Sequence, residues 1–234
     1  KAFINVDNPH LCQMASERNM QHDSERPYSL LLPYGLEYSG AVVLPSSAEY
    51  PFLRIQIGER VVSTNLVGSY NADNVMAALA VGQHFGVSFE DAVAAIEAYV
   101  PANKRSQMTK TERNTLIVDA YNANPTSMAA ALENFSNVAA DCKVALLGDM
   151  LELGEWSADE HCRILQLATE VENAELLLVG KEFLRAAHTL GIDATCCKDS
   201  AEAAEWLALS KISDTTTLLK GSRGIALEKL IDKL

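Results

Sequence analysis

Thr115-Leu116-Ile117-Val118-Asp119-Ala120-Tyr121-Asn122-Ala123-Asn124-Pro125-Thr126-Ser127-Met128 decides the fold class. Its first four residues form a short apolar, largely β-branched run, as a buried strand requires. Asn124-Pro125 then pairs an N-cap with an N1 proline. The carboxamide can accept a first-turn N–H, and proline lacks an N–H that would have no helical partner. A strand passing through a polar turn into a helix is one βα unit. The pattern recurs downstream. Apolar runs lie at Val144–Leu147, Leu176–Val179, weakly at Ala194–Cys197, and at Thr217–Leu219. Helical patterns lie at Pro125–Phe135, Ala158–Val171, Glu182–Leu190, Ala201–Leu209 and Ile225–Leu234. Ser157-Ala158-Asp159-Glu160 and Asp199-Ser200-Ala201-Glu202 read as capping boxes. Such alternation predicts an α/β domain over residues 101–234, with a mostly parallel sheet covered on both faces. Ligands of such sheets gather at the carboxyl ends of the strands.

Residues 1–100 read differently. Ala2–Val6 is a strand candidate, and a helix is expected over His10–Arg18. Tyr28–Leu66 has β-type chemistry broken by turn signals at Pro33-Tyr34-Gly35, Ser39-Gly40, Pro45-Ser46-Ser47 and Gly58-Glu59. Phe52–Ile57 alternates with period two. A helix is expected over Ala72–Phe85, closed by Gly86, and Ser88 opens another. The chain of 234 residues is 48% hydrophobic and 21% charged, which is ample material for a packed core. Its net charge of −12 is divided evenly between residues 1–100 and 101–234, with no Lys/Arg run. Duplex nucleic acid and anionic membranes are therefore poor candidates as main partners. Five cysteines (Cys12, Cys142, Cys162, Cys196 and Cys197) include no C-x-x-C pair and read as free thiols of a cytoplasmic protein. No apolar run approaches the roughly 18 residues of a membrane span. The opening Lys1-Ala2-Phe3, without methionine, reads as the start of a piece of a longer chain.

Three strand ends in the second half are polar. They carry Asp119, then Asp149, then Lys220 and Arg223, toward one edge of the sheet. Asp119 suits ribose hydroxyls, the start of the Pro125 helix suits an anion, and Lys220 and Arg223 suit a carboxylate or phosphate. In the first half Asn71 and Asn74 share a helical face, and carboxamides can read an adenine edge. Taken singly, each of these residues is better explained as a turn former or cap, and only the three polar strand ends together point to a site. Walker A, G-x-G-x-x-G, H-E-x-x-H and Cys/His zinc spacings are absent.

Taken together, the motifs resemble the Mur ligases. Gly68-Ser69-Tyr70-Asn71-x-x-Asn74 before an alanine-rich helix is similar to the segment that closes their central ATPase domain. Arg105-Ser106-Gln107, the Asp119–Met128 stretch, Gly148-Asp149-Met150-x-Glu152-Leu153-Gly154 and Lys220-Gly221-Ser222-Arg223 resemble their C-terminal domain. The Y-N-A-N-P and G-D-M-x-E-L-G motifs resemble the branch that joins D-alanyl-D-alanine to UDP-N-acetylmuramoyl-tripeptide in peptidoglycan precursor synthesis. The resemblance implies that residues 1–100 are the end of an α/β P-loop ATPase domain and 101–234 a Rossmann-like C-terminal domain. It implies ATP-dependent amide formation through an acyl phosphate, with Mg2+ and the P-loop held by residues upstream of Lys1. It places Asn71 and Asn74 near adenine, Asp119 on the ribose and Arg105 in the ribose-phosphate region. Asn122 and Asn124 fall near the phosphates or the acyl phosphate, and Lys220, Ser222 and Arg223 on the dipeptide side or between domains. The chain then carries no catalytic or metal-binding residue of its own and is inactive alone. Tyr70 stands where the family often has histidine. Two other readings remain open: another Mur-type or folylpolyglutamate synthetase-type amide ligase, and a non-catalytic nucleotide-binding α/β module.

Overall fold

Runs rich in leucine and valine become central strands where both of their faces are covered. That happens in the second of the two compact units into which this computed structural model divides. It describes residues 1–18, 20, 31–46, 51–101 and 107–234.

The second unit is built on Pro101–Leu234. Its strands, numbered along the whole chain, are β6 (Gln107–Lys110), β7 (Thr115–Asp119), β8 (Lys143–Gly148), β9 (Ala174–Val179), β10 (Thr195–Cys197) and β11 (Thr216–Lys220). Between them run α4 (Pro125–Ser136), α5 (Ser157–Thr169), α6 (Lys181–Leu190) and α7 (Ser200–Ser210). The sheet order is β10-β9-β8-β11-β7-β6, parallel throughout except β6. The last long strand is thus inserted between the first two parallel ones, and the ends of β7, β11 and β8 lie side by side. Alternate residues fill two cores. Leu116, Val118, Val144, Leu146, Leu177, Val179 and Leu219 pack with Ala203 and Leu207 of α7 and with Leu227, Leu230 and Leu234. Ile117, Ala145, Leu147, Leu178 and Leu218 are buried on the opposite face.

Sequence and structure part at three places here. The antiparallel edge strand β6 is polar (Gln-Met-Thr-Lys) and gives no apolar signal, because an edge strand has only one neighbour to satisfy. Ile225–Leu234, expected as a helix, forms short 3-10 turns at Arg223–Ile225 and Leu227–Lys233, separated by Ala226 at φ +58°. Its buried leucines, 227 and 230, are three apart, which suits the tighter winding. Ser157 does not cap α5. A 3-10 turn, Gly154–Trp156, runs straight into that helix and places Ser157 inside its first turn. Asp199 does cap α7, accepting from the N–H groups of Ala201 and Glu202.

The first unit pairs β1 (Ala2–Asn5) in parallel with β2 (Leu31–Tyr34), and folds β3 (Ala41–Leu44), β4 (Arg54–Ile57) and β5 (Arg60–Ser63) into an antiparallel sheet. Its helices are α1 (Pro9–Glu17), α2 (Ala72–His84) and α3 (Phe89–Ala98). Pro33-Tyr34, a turn by composition, lies within β2. Among the described residues β2 has a ladder on one side only, so a proline there is tolerated.

Candidate functional site

The ends of β7, β11 and β8 form the candidate site. Asp119 ends β7, and Lys220 ends β11 in the same register row. Lys220 Nζ lies 2.8 Å from Asp119 Oδ2 and donates to the Asn122 carbonyl at 2.7 Å. The lysine side chain is 2% exposed and the aspartate side chain 10%. Beyond Asp119 the chain turns out to solvent, leaving Tyr121, Asn122 and Asn124 exposed. The Asn124 carboxamide oxygen accepts Ser127 N–H at 2.8 Å, and Ser127 Oγ accepts Asn124 N–H at 3.1 Å. That reciprocal cap starts α4, and Met128 anchors it in the core.

The end of β8 is built differently. Asp149 accepts from Glu182 N–H at 3.0 Å and from Phe183 N–H at 2.9 Å, so its carboxylate closes the start of α6. It does this in place of the N-cap residue, Gly180, which has no side chain and φ +126°. A Cβ on Gly180 would fall 2.2 Å from Asp149 Cγ. The expectation that Asp149 faces a ligand gives way to a helix-capping role. His161, fully buried on α5, accepts Met150 N–H through Nε2 at 3.0 Å. Its Nδ1 lies 2.7 Å from the Ser157 carbonyl, which assigns the proton to Nδ1. Ser157 Oγ is 3.3 Å from that ring and Asp149 3.8 Å from its other side, yet both nitrogens are engaged by backbone. The trio is therefore a support for the loop and not a nucleophilic triad. Sequence reading passes over His161 because its eleven-residue separation from Met150 matches no motif.

The β11 loop clasps both neighbours. Gly221 lies so close to Gly148 that a Cβ would come within 2.9 Å of its Cα. Ser222, 5% exposed, accepts Leu151 N–H at 2.9 Å and reaches the Ala123 carbonyl at 3.4 Å, and its own N–H donates to the Asp149 carbonyl at 3.1 Å. Arg223 is exposed, with its guanidinium 5.7 Å from the centroid of the Tyr121 ring. In the first unit Asn71 is buried and accepts from Asn74 Nδ2 at 3.2 Å, so the two share a face of the start of α2 as their spacing predicts. Asn71 precedes α2 without a side-chain cap bond. Arg105 lies outside the described residues.

A family profile described as "Mur ligase, glutamate ligase domain" matches residues 104–223, half of the chain. The chain belongs to the Mur ligase family. The matched segment of this Mur ligase chain takes in all three strand ends. The UDP-N-acetylmuramoyl-tripeptide–D-alanyl-D-alanine ligase of Treponema pallidum is 33% identical over 182 residues, which are 76% of this chain and 39% of that protein. The Mur ligase chain thus spans about two fifths of that relative's length. A crystal structure of MurF from Acinetobacter baumannii matches with a TM-score of 0.79 at 25% identity, covering 100% of this chain and 51% of the other. MurF from Thermotoga maritima in complex with ADP matches with a TM-score of 0.73 at 18% identity, covering 99% and 52%, a likeness of fold. No helix among the described residues is long and apolar enough to cross a membrane.

Proposed function

We propose that this chain is the nucleotide- and dipeptide-facing part of an ATP-dependent ligase that joins D-alanyl-D-alanine to UDP-N-acetylmuramoyl-tripeptide in the cytoplasm. The observation that carries the reading is the 33% identity to the T. pallidum ligase across 76% of the chain. Residues 1–100 are assigned to the end of the ATPase domain and 101–234 to the C-terminal domain. In the reaction, a carboxylate oxygen of the tripeptide attacks the γ-phosphorus of ATP, and ADP leaves. The dipeptide amine then attacks the acyl carbon and loses a proton, and phosphate departs as the amide forms.

Within this scheme Asp119 accepts from the ribose hydroxyls, Asn71 and Asn74 read adenine, and Arg105 steadies the ribose-phosphate region. Asn122 and Asn124, exposed at the start of α4, approach the phosphates, where the first-turn N–H groups favour negative charge. At the end of β11 the exposed Arg223 serves the dipeptide side and offers a two-pronged donor to its carboxylate. Magnesium would offset phosphate charge. Among the described residues no three His, Cys, Asp or Glu side chains converge as a metal centre.

The test is ADP release by the full-length protein with ATP and UDP-N-acetylmuramoyl-tripeptide, as D-alanyl-D-alanine is replaced by single amino acids. Only the dipeptide should support turnover. Turnover with glutamate instead would move the chain to another branch. In the same assay Arg223→Ala should raise KM for the dipeptide about tenfold, the size of one charge-assisted interaction, and leave KM for ATP within about twofold. Equal shifts in both would assign the loop to the nucleotide. The 234-residue chain alone should release no ADP in response to the dipeptide.

A further inference from the structure

Lys220, at the end of β11, and Arg223 stand three residues apart, yet one is buried and the other exposed. Arg223 is exposed, while the Lys220 ammonium is 2% exposed and already holds two oxygens, one from the Asp119 carboxylate and one from the Asn122 carbonyl. The lysine side chain is buried and two of its three N–H donors are engaged, so a ligand carboxylate would have to enter this closed space, and displacing Asp119 would leave that carboxylate without its buried cation. The accessible member of the pair is the aspartate. Ser222 is turned inward as well, onto Leu151 N–H and the Ala123 carbonyl.

We infer that Lys220 is a positioning residue for the nucleotide side and not a ligand of the dipeptide: it orients the Asp119 carboxylate and pins the turn that carries Asn122. Asp119 sits at the last position of β7, and its side chain is held from the neighbouring strand by a lysine in the same register row. The second bond, to Asn122, fixes the backbone three residues further on, where the chain leaves the sheet for α4. One buried ammonium thereby sets both a ribose acceptor and the approach to the phosphates. The inference rests on the ligase reading for the identity of the ligands, and on geometry alone for the direction in which Lys220 acts.

The test is a double-mutant cycle in the full-length protein with Lys220→Met, Asp119→Asn and the pair combined. It reads KM for ATP, KM for D-alanyl-D-alanine, and ADP affinity by calorimetry. Each single variant should raise KM for ATP and weaken ADP about tenfold, on the scale of one charge-assisted hydrogen bond. The double variant should be no worse than the worse single one, because both changes break the same contact. KM for the dipeptide should stay within about twofold throughout. If Lys220→Met fails to fold, Lys220→Arg, which keeps the buried charge but not the shape of the ammonium, decides instead: it should weaken ADP and leave KM for the dipeptide within about twofold, and the reverse pattern would overturn the inference. A raised dipeptide KM with normal ATP and ADP parameters would overturn the inference, as would effects that multiply in the double variant. The ADP titration needs no ligation. A wild-type protein that binds ADP but does not use the dipeptide would therefore sink the ligase reading and leave the role of Lys220 to be judged on nucleotide affinity.

Discussion

Two aspartates stand at the ends of parallel strands on either side of β11, and the structure employs them in opposite ways. Asp149, after β8, is covered by the start of α6 and satisfies two of its backbone N–H groups. Asp119, the last residue of β7, is engaged differently. The Asn124 cap already closes α4, and Asp119 is held by a lysine from the next strand. In this sheet the β8 end supports the start of a helix, and the β7 end holds its carboxylate against a buried lysine from the next strand.

The largest expected effect falls on the support. Gly180→Ala would place a side chain at φ +126° and drive it into Asp149. Backbone strain and loss of the α6 cap together should cost about 3–5 kcal/mol. Thermal unfolding should then show the second unit melting well below wild type. An unchanged Tm would mean that Asp149 is not the cap and would erase the contrast between the two strand ends.

His161→Ala should cost about 2–4 kcal/mol, since it leaves Met150 N–H buried without its acceptor and opens a cavity beside Phe183. ADP affinity measured below the melting range should stay near wild type. A selective loss of nucleotide affinity at full stability would place the β8 end in the site after all.

The smallest effect concerns pH. Cys197, in β10, is buried, and its carbonyl accepts Gly180 N–H at the start of α6. Burial first, and then the negative charges of Glu202, Cys196 and Asp199, push its thiol up to about 11. The folded state therefore keeps a proton that the unfolded chain releases near 9. The stability from this group is whole below about pH 9 and is lost as pH rises toward 11. Melting curves from pH 8 to 10.5 should fall more steeply for wild type than for Cys197→Ala. Parallel curves would show that the thiol is not held protonated by its surroundings.

Most of the second unit was legible in its residues. The central parallel strands β7, β8, β9 and β11 are short runs rich in branched apolar residues because both faces are largely buried, while the edge strand β10 (Thr-Cys-Cys) is the weak run, and each run ends within two residues of its expected limits. The polar edge strand β6 left no such trace, since one neighbour and a partly solvated face place little demand on composition. In the first unit Pro33-Tyr34 reads as a turn and forms part of β2, because the tolerance for proline depends on which side of the strand is paired.

At the candidate site, the residue types and their strand-end placement came from local pattern: Asn124-Pro125 caps α4 as that dipeptide dictates, and Asp119, Asp149, Lys220 and Ser222 stand at or just past their strand ends as expected. Their partners were decided only in three dimensions. Insertion of β11 between β8 and β7 brings Lys220 to Asp119 across 101 positions of chain and Ser222 to Leu151 across 71. Spacing along a chain carries no information about a neighbour delivered by sheet order. Nor does it show whether a charged group ends buried against an opposite charge, as Lys220 does, or out in solvent beside an aromatic ring, as Arg223 does.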